Sequence, residues 1–190
     1  MITARETYSM LGHSALWETA RQCCEILEAA DLPHAIVGGV AVCLHGYRRN
    51  TVDVDLLIRH EDADSIRRVL LDAEYRWNPQ ECEFRSPHNV QVKFLLAEAP
   101  AGRDSSVRLP QPSNEASVTT IENLPVVELA RLIEIKIACG QGSVRRTHRD
   151  FADVIELIVS NGLRRDYARF LNKTVRKTFR QLVLSSRGKA

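Results

Sequence analysis

Ile36-Val37-Gly38-Gly39-Val40-Ala41 and, shortly after it, Arg49-Asn50-Thr51-Val52-Asp53-Val54-Asp55-Leu56 form the stretch whose reading decides this chain. Ala35-Ile36-Val37 has the make-up of a short buried strand, and Val40 to His45, closed by Gly46, that of a helix. The glycine pair therefore joins a strand directly to a helix start. Residues without a β-carbon let backbone N–H groups come close to a phosphate, and a helix N-terminus adds favourable partial charge there. Val52 to Ile58 alternates as a second strand, and side chains two apart on a strand share a side, so Asp53 and Asp55 converge beside the glycine bend. Two neighbouring carboxylates repel unless a cation neutralises them, and a hard, oxygen-only pair suits magnesium or manganese better than zinc. The pattern predicts a nucleoside triphosphate carried with a divalent ion.

The rest of the chain is ordinary enough to leave that stretch in charge. At 190 residues, with 44% hydrophobic and 26% charged residues, it has the length and composition of one globular unit. No apolar run reaches membrane-spanning length, and Met1-Ile2-Thr3-Ala4-Arg5-Glu6 lacks the order of a signal peptide, so a cytoplasmic protein is expected. Cys23, Cys24, Cys43, Cys82 and Cys139 make an odd set without a CxxC pair, which predicts reduced thiols and no zinc knuckle. No His-x-x-His spacing suggests a zinc site, and His45 reads as a packed or capping residue. Net charge is only +2, but the segment from Gly162 onward holds Arg164, Arg165, Arg169, Lys173, Arg176, Lys177, Arg180, Arg187 and Lys189 against the single acid Asp166. Such a basic tail fits either a phosphate backbone or a solvated helix face.

Helical periodicity predicts helices over about 14–30, 62–73, 126–139, 149–160 and 166–184, with breaks at Gly140-Gln141-Gly142 and Asn161-Gly162. Glu83-Phe84-Arg85 and Val90 to Leu96 flank the turn residues Ser86-Pro87-His88-Asn89 and predict a hairpin. Pro100 to Ser117 reads as a loop, with a short strand at 117–121. The expected fold class is α/β (α+β): a small mixed sheet with helices packed on it, residues 1–125 as the core and 126–190 as a helical part closing the cleft.

A strand, a Gly-Gly helix start, an Arg49-x-Thr51 loop and an Asp-x-Asp strand, in that order, resemble the nucleotidyltransferase superfamily. That superfamily includes DNA polymerase beta, aminoglycoside nucleotidyltransferases and AbiEii-type toxins of toxin-antitoxin pairs. The likeness continues through Leu129 to Ala138, a helix bearing Lys136, and Arg146-Thr147-His148-Arg149-Asp150-Phe151-Ala152-Asp153, and it spans about residues 34 to 160. It implies that Gly38, Gly39, Arg49 and Thr51 hold a nucleoside triphosphate such as ATP and that Asp53 and Asp55 hold the metal. Lys136 would contact phosphates, and Asp150 would orient Lys136 or assist the acceptor. The implied reaction moves a nucleoside monophosphate to an RNA or small-molecule acceptor, with RNA met by the basic C-terminal helix; the toxin branch would add an antitoxin partner.

One position departs from the pattern. The family usually carries a third carboxylate on the neighbouring strand, where this chain has Val92-Lys93-Phe94. Lysine there changes the local charge by two units where a metal or a departing proton needs an anion. Three readings stay open: a degraded site that survives as a nucleotide-binding or protein-interaction module, an enzyme in which Glu83 or Asp150 serves as base, or a different pairing of the strands.

Overall fold

The computed structural model describes residues 2–187. In chain order the elements are α1 (Ala4–Met10), α2 (Ser14–Ala29), β1 (His34–Val37), α3 (Gly38–Leu44), β2 (Asp53–Ile58), α4 (Ala63–Asp72), β3 (Arg76–Asn78), β4 (Glu83–Arg85), β5 (Gln91–Leu96), β6 (Val118–Ile121), β7 (Leu124–Val127), α5 (Leu129–Gly142), α6 (Val144–Ser160) and α7 (Arg176–Arg187). The strands form one mixed sheet in the order β3-β4-β5-β2-β1-β7-β6.

The centre of the sheet positions everything that follows. β2 lies antiparallel to β1, with Val37 opposite Asp55, and parallel to β5, with Asp55 opposite Lys93. All four residues of β1 are buried, as expected of a central strand covered on both faces. On β2 the alternation holds: Val54, between the two acids, is fully buried, while Asp53 and Asp55 are partly exposed on the other face. α2 enters the core through Leu16, Ala20, Cys23 and Leu27 and ends on Asp31, whose φ of 54° is the left-handed stop that lets Leu32 N–H donate to the Leu27 carbonyl at 2.9 Å. The hairpin of β4 and β5 turns on Asn89, also left-handed at φ 60°, with Ser86 N–H donating to the Val90 carbonyl.

Several expected boundaries move. Val126 and Val127 belong to β7, not to a helix; Pro125 had masked this short strand, which sits between β1 and β6. α5 starts at Leu129, capped by the Glu128 side chain accepting from Ala130 N–H, and runs through the predicted break to Gly142. Gly140 is there for packing: a β-carbon on it would lie 2.6 Å from the Phe151 ring of α6. α6 begins at Val144, five residues earlier than its periodicity suggests, so the two helices are joined at Ser143 alone. The expected helix over 166–184 is two pieces, a 3₁₀ segment at Arg165–Phe170 and then α7. Arg176 explains the corner, since its guanidinium donates to the carbonyls of Leu171 and Arg169. The Arg187 side chain and Lys189, part of the expected basic tail, lie outside the described residues. All five cysteines are free. Among the described residues no helix is long and apolar enough to cross a membrane.

Candidate active site

The glycine pair and the acid pair are interlocked. Gly38 has φ +67°, a conformation that favours glycine, and a β-carbon on it would lie 1.9 Å from Asp55 Oδ2. A β-carbon on Gly39 would lie 2.5 Å from Thr51 Oγ1. The space that two side chains would have filled is thus taken by Asp55 and Thr51. Thr51, itself buried, donates its hydroxyl to Asp53 Oδ1 at 3.0 Å. Lys93 Nζ donates to the other oxygen, Asp53 Oδ2, at 2.9 Å. Lys93 stands on the strand beside β2, on the same face as both acids, where the resemblance would place a third carboxylate.

These contacts treat the two acids differently. Burial works to raise Asp53, but the hydrogen bond and charge of Lys93, with Thr51, bring its carboxyl below the ordinary value. Asp55 has no such partner: no salt bridge among the described residues reaches it. Burial, then the charge of Asp53, push its carboxyl up to about 6, against the pull of Lys93, Lys136 and Arg146. Lys93 itself feels burial first, which lowers it, yet Asp53, Asp55 and Glu83 together lift it above an ordinary lysine.

A second ion cluster lies between α5 and α6. Lys136, 5% exposed, reaches Asp150 Oδ1 at 3.1 Å and Asp153 Oδ2 at 2.7 Å. Asp150 and Asp153 are three apart on α6 and so share a helix face. Arg49, from the loop before β2, pairs with Asp153 at 2.7 Å, and Arg146 Nε lies 3.0 Å from Asp150 Oδ2 without the alignment of a hydrogen bond. The cluster's charges reach the acid pair, since Lys136 and Arg146 act on Asp55, and the nearby Arg149 of α6, outside the cluster, acts on Asp53.

The structure brings Gly38, Gly39, Thr51, Asp53 and Asp55 together, and places Lys136, Asp150 and Arg49 in the adjoining cluster. Asp153, Arg146 and Arg149 escaped the sequence reading as site residues, although the spacing Arg146, Asp150, Asp153 is that of one helix face and was open to view. Glu83 is 1% exposed and its Oε1 accepts from Gln91 at 2.8 Å and lies 3.2 Å from Arg85. It and Asp150 are therefore both engaged. His45 is a packed residue, its Nε2 2.8 Å from the Val127 carbonyl, and burial lowers it from its ordinary value.

Among the described residues no group of three or more His, Cys, Asp or Glu side chains converges as a metal site. A lone pair of carboxylates is nonetheless a sufficient protein contribution for magnesium, which keeps waters and substrate phosphates as its remaining ligands. Asp55, walled in and without a cation of its own, is the chemical feature that fits such an ion. Next to this face a cleft of about 500 Å³ is lined by Leu95, Ile135, Cys139 and Arg146 among others. Neither that cleft nor a larger depression of about 690 Å³, lined by Trp17, Arg21 and Glu122 among others, is lined by Asp53 or Asp55.

No family model matches the sequence, and no curated protein does. Solved structures do. ANT(2'')-Ia, in a crystal structure with adenylyl-2''-tobramycin, is 14% identical with a TM-score of 0.56, over 85% of this chain and 94% of that one. Two proteins with a provisional nucleotidyltransferase assignment follow. The one from Thermotoga maritima is 14% identical with a TM-score of 0.51, over 72% of this chain and 92% of that one. The one from H. pylori is 18% identical with a TM-score of 0.51, over 95% and 83%. This agreement, together with the strand order and the glycine-to-helix start, shows that the chain has the nucleotidyltransferase fold.

Proposed function

We propose that this protein is a nucleotidyltransferase, moving a nucleoside monophosphate from a nucleoside triphosphate to an acceptor and releasing pyrophosphate. The observation that carries the reading is the seating of Asp55 over Gly38, which fixes an under-neutralised carboxylate pair at the bend where a strand enters a helix. Asp53 and Asp55 would hold a magnesium or manganese ion, which when bound offsets the negative charge of the phosphates. Thr51 and Lys93 hold Asp53 in place, and Gly38 and Gly39 leave room at the bend for phosphate oxygens. Lys136, kept extended by Asp150 and Asp153, and Arg49 supply positive charge toward the β and γ phosphates as pyrophosphate departs. The acceptor hydroxyl oxygen then forms its bond to the α-phosphorus as the bond to pyrophosphate breaks, its proton passing to solvent because Glu83 and Asp150 are both engaged, with catalysis resting on positioning and electrostatics.

The acceptor is inferred to be RNA. ANT(2'')-Ia is seen with an adenylylated aminoglycoside. Here Lys93, Arg146 and Arg149 border the acids, and Arg164, Arg165, Arg169, Lys173, Lys177 and Arg180 are exposed on the C-terminal part. A surface so supplied with cations attracts a phosphate backbone and repels a polycationic drug. A role as a toxin with an antitoxin partner rests on the resemblance alone.

The test is incubation with each α-labelled nucleoside triphosphate, magnesium and either total RNA or tobramycin. Label should appear on RNA, fall at least tenfold between about 50 and 200 mM salt, and vanish in Asp53→Ala. Label on tobramycin instead would overturn the choice of acceptor. Nucleotide binding without transfer to either would favour a binding module of the same fold, the reading that Lys93 invites.

A further inference from the structure

We propose that Lys93 is a built-in cation that stands where a second divalent ion would otherwise sit, so that the site takes one divalent ion with each nucleotide. The proposal rests on the nucleotidyl-transfer reading above and adds to it the number of ions.

Geometry is the first support. Two-metal phosphoryl-transfer sites need carboxylate oxygens free to bridge or flank both ions. Each oxygen of Asp53 already accepts one hydrogen bond, Oδ1 from the Thr51 hydroxyl and Oδ2 from the Lys93 ammonium, which leaves Asp53 lone-pair capacity to join Asp55 on one ion but not to bridge two. Lys93 is not a passing surface contact. Its Cα is in register with Asp55, its strand neighbours Val92 and Phe94 are buried and half-buried, and Glu83 acts on it from β4. The ammonium is thus held by Asp53 and drawn further by the charges of Asp55 and Glu83.

Charge gives the second support. Three carboxylates and two divalent ions leave one net positive charge. Two carboxylates, one lysine and one divalent ion leave the same. Exchanging a carboxylate for lysine alters the site by two units, the charge of one such ion, so the field offered to a triphosphate is kept with one ion fewer. The described residues offer no third metal-ligating side chain to restore the balance another way.

The experiment counts ions. The full chain is saturated with α,β-methylene-ATP and titrated with Mn2+, and free Mn2+ is read by electron paramagnetic resonance while bound nucleotide is measured separately. The wild type should hold one Mn2+ per bound nucleotide, and Lys93→Asp two. Two ions in the wild type would overturn the proposal while leaving nucleotidyl transfer standing, and so would a single ion in folded Lys93→Asp. No nucleotide bound by the wild type would overturn both. If Lys93→Asp does not fold, the wild-type count decides alone.

Discussion

The acid pair on β2 and the ion cluster between α5 and α6 lie within reach of each other's charge but are built on opposite terms. In the cluster every buried charge has a partner: Lys136 sits between Asp150 and Asp153, and each of those acids meets an arginine as well. In the pair, only Asp53 is neutralised, and Asp55 is held at the bend with its carboxyl raised. A closed network keeps side chains in place whether or not a ligand is present, whereas an open charge is satisfied only by something that arrives. In the proposed reaction the cluster is thus the positioning half of the site, and the pair its receiving half.

Breaking the cluster should have the largest effect on the fold. Asp150→Ala leaves Lys136 and Arg146 short of an anion and should cost about 3–5 kcal/mol in urea unfolding. Asp53→Asn, on the receiving side, should cost under about 1 kcal/mol while removing transfer. Equal costs for the two would erase the distinction.

Asp55 gives the contrast a sign. Its folded carboxyl at about 6 lies above its ordinary 3.8, so the folded chain binds this proton more tightly than the unfolded one. Its contribution to stability is therefore present at low pH and is lost as pH rises from about 4 to about 6, at most about 3 kcal/mol in all. Asp55→Asn should melt several degrees higher than the wild type at pH 8, with the gain gone at pH 4. A variant that melts lower at pH 8 would mean that Asp55 is not strained.

Two smaller effects sharpen the picture. Gly38→Ala sets a β-carbon against Asp55 Oδ2 and asks alanine for φ +67°, which should cost about 2 kcal/mol. It should also weaken nucleotide binding, because Asp55 must leave its seat. Arg149→Ala, exposed on α6, should change stability by no more than about 0.5 kcal/mol yet weaken binding of a triphosphate or RNA, most visibly at low salt.

The receiving half was legible in the sequence because its signals are local. Period-two alternation put Asp53 and Asp55 on one face, and a Gly-Gly between apolar runs marked the bend. Lys93 was set beside the acids by the resemblance, since the hairpin locates its strand but says nothing of the parallel pairing of β5 with β2. The positioning half was less open. Arg49 and Asp153 are over a hundred residues apart, and no local pattern announces that a loop before β2 will touch α6. Glu83, a candidate base in the sequence, proved buried and held by Gln91 and Arg85, because burial depends on how β4 meets β5 rather than on its own neighbours. Short strands such as β3 and β7 carry too few residues for alternation to show.

The Arg49–Asp153 contact has a mechanical consequence. It is a nearly dry tether, Asp153 2% and Arg49 14% exposed at the side chain, tying the lead-in to β2 onto the same helix that steadies Lys136. Sheet and helix cannot part along that seam without stranding an ion in a place with little water to receive it. Any yawning of the molecule to admit a bulky guest must therefore hinge elsewhere, which under the proposed function leaves the hold on the triphosphate unchanged whatever acceptor is brought up.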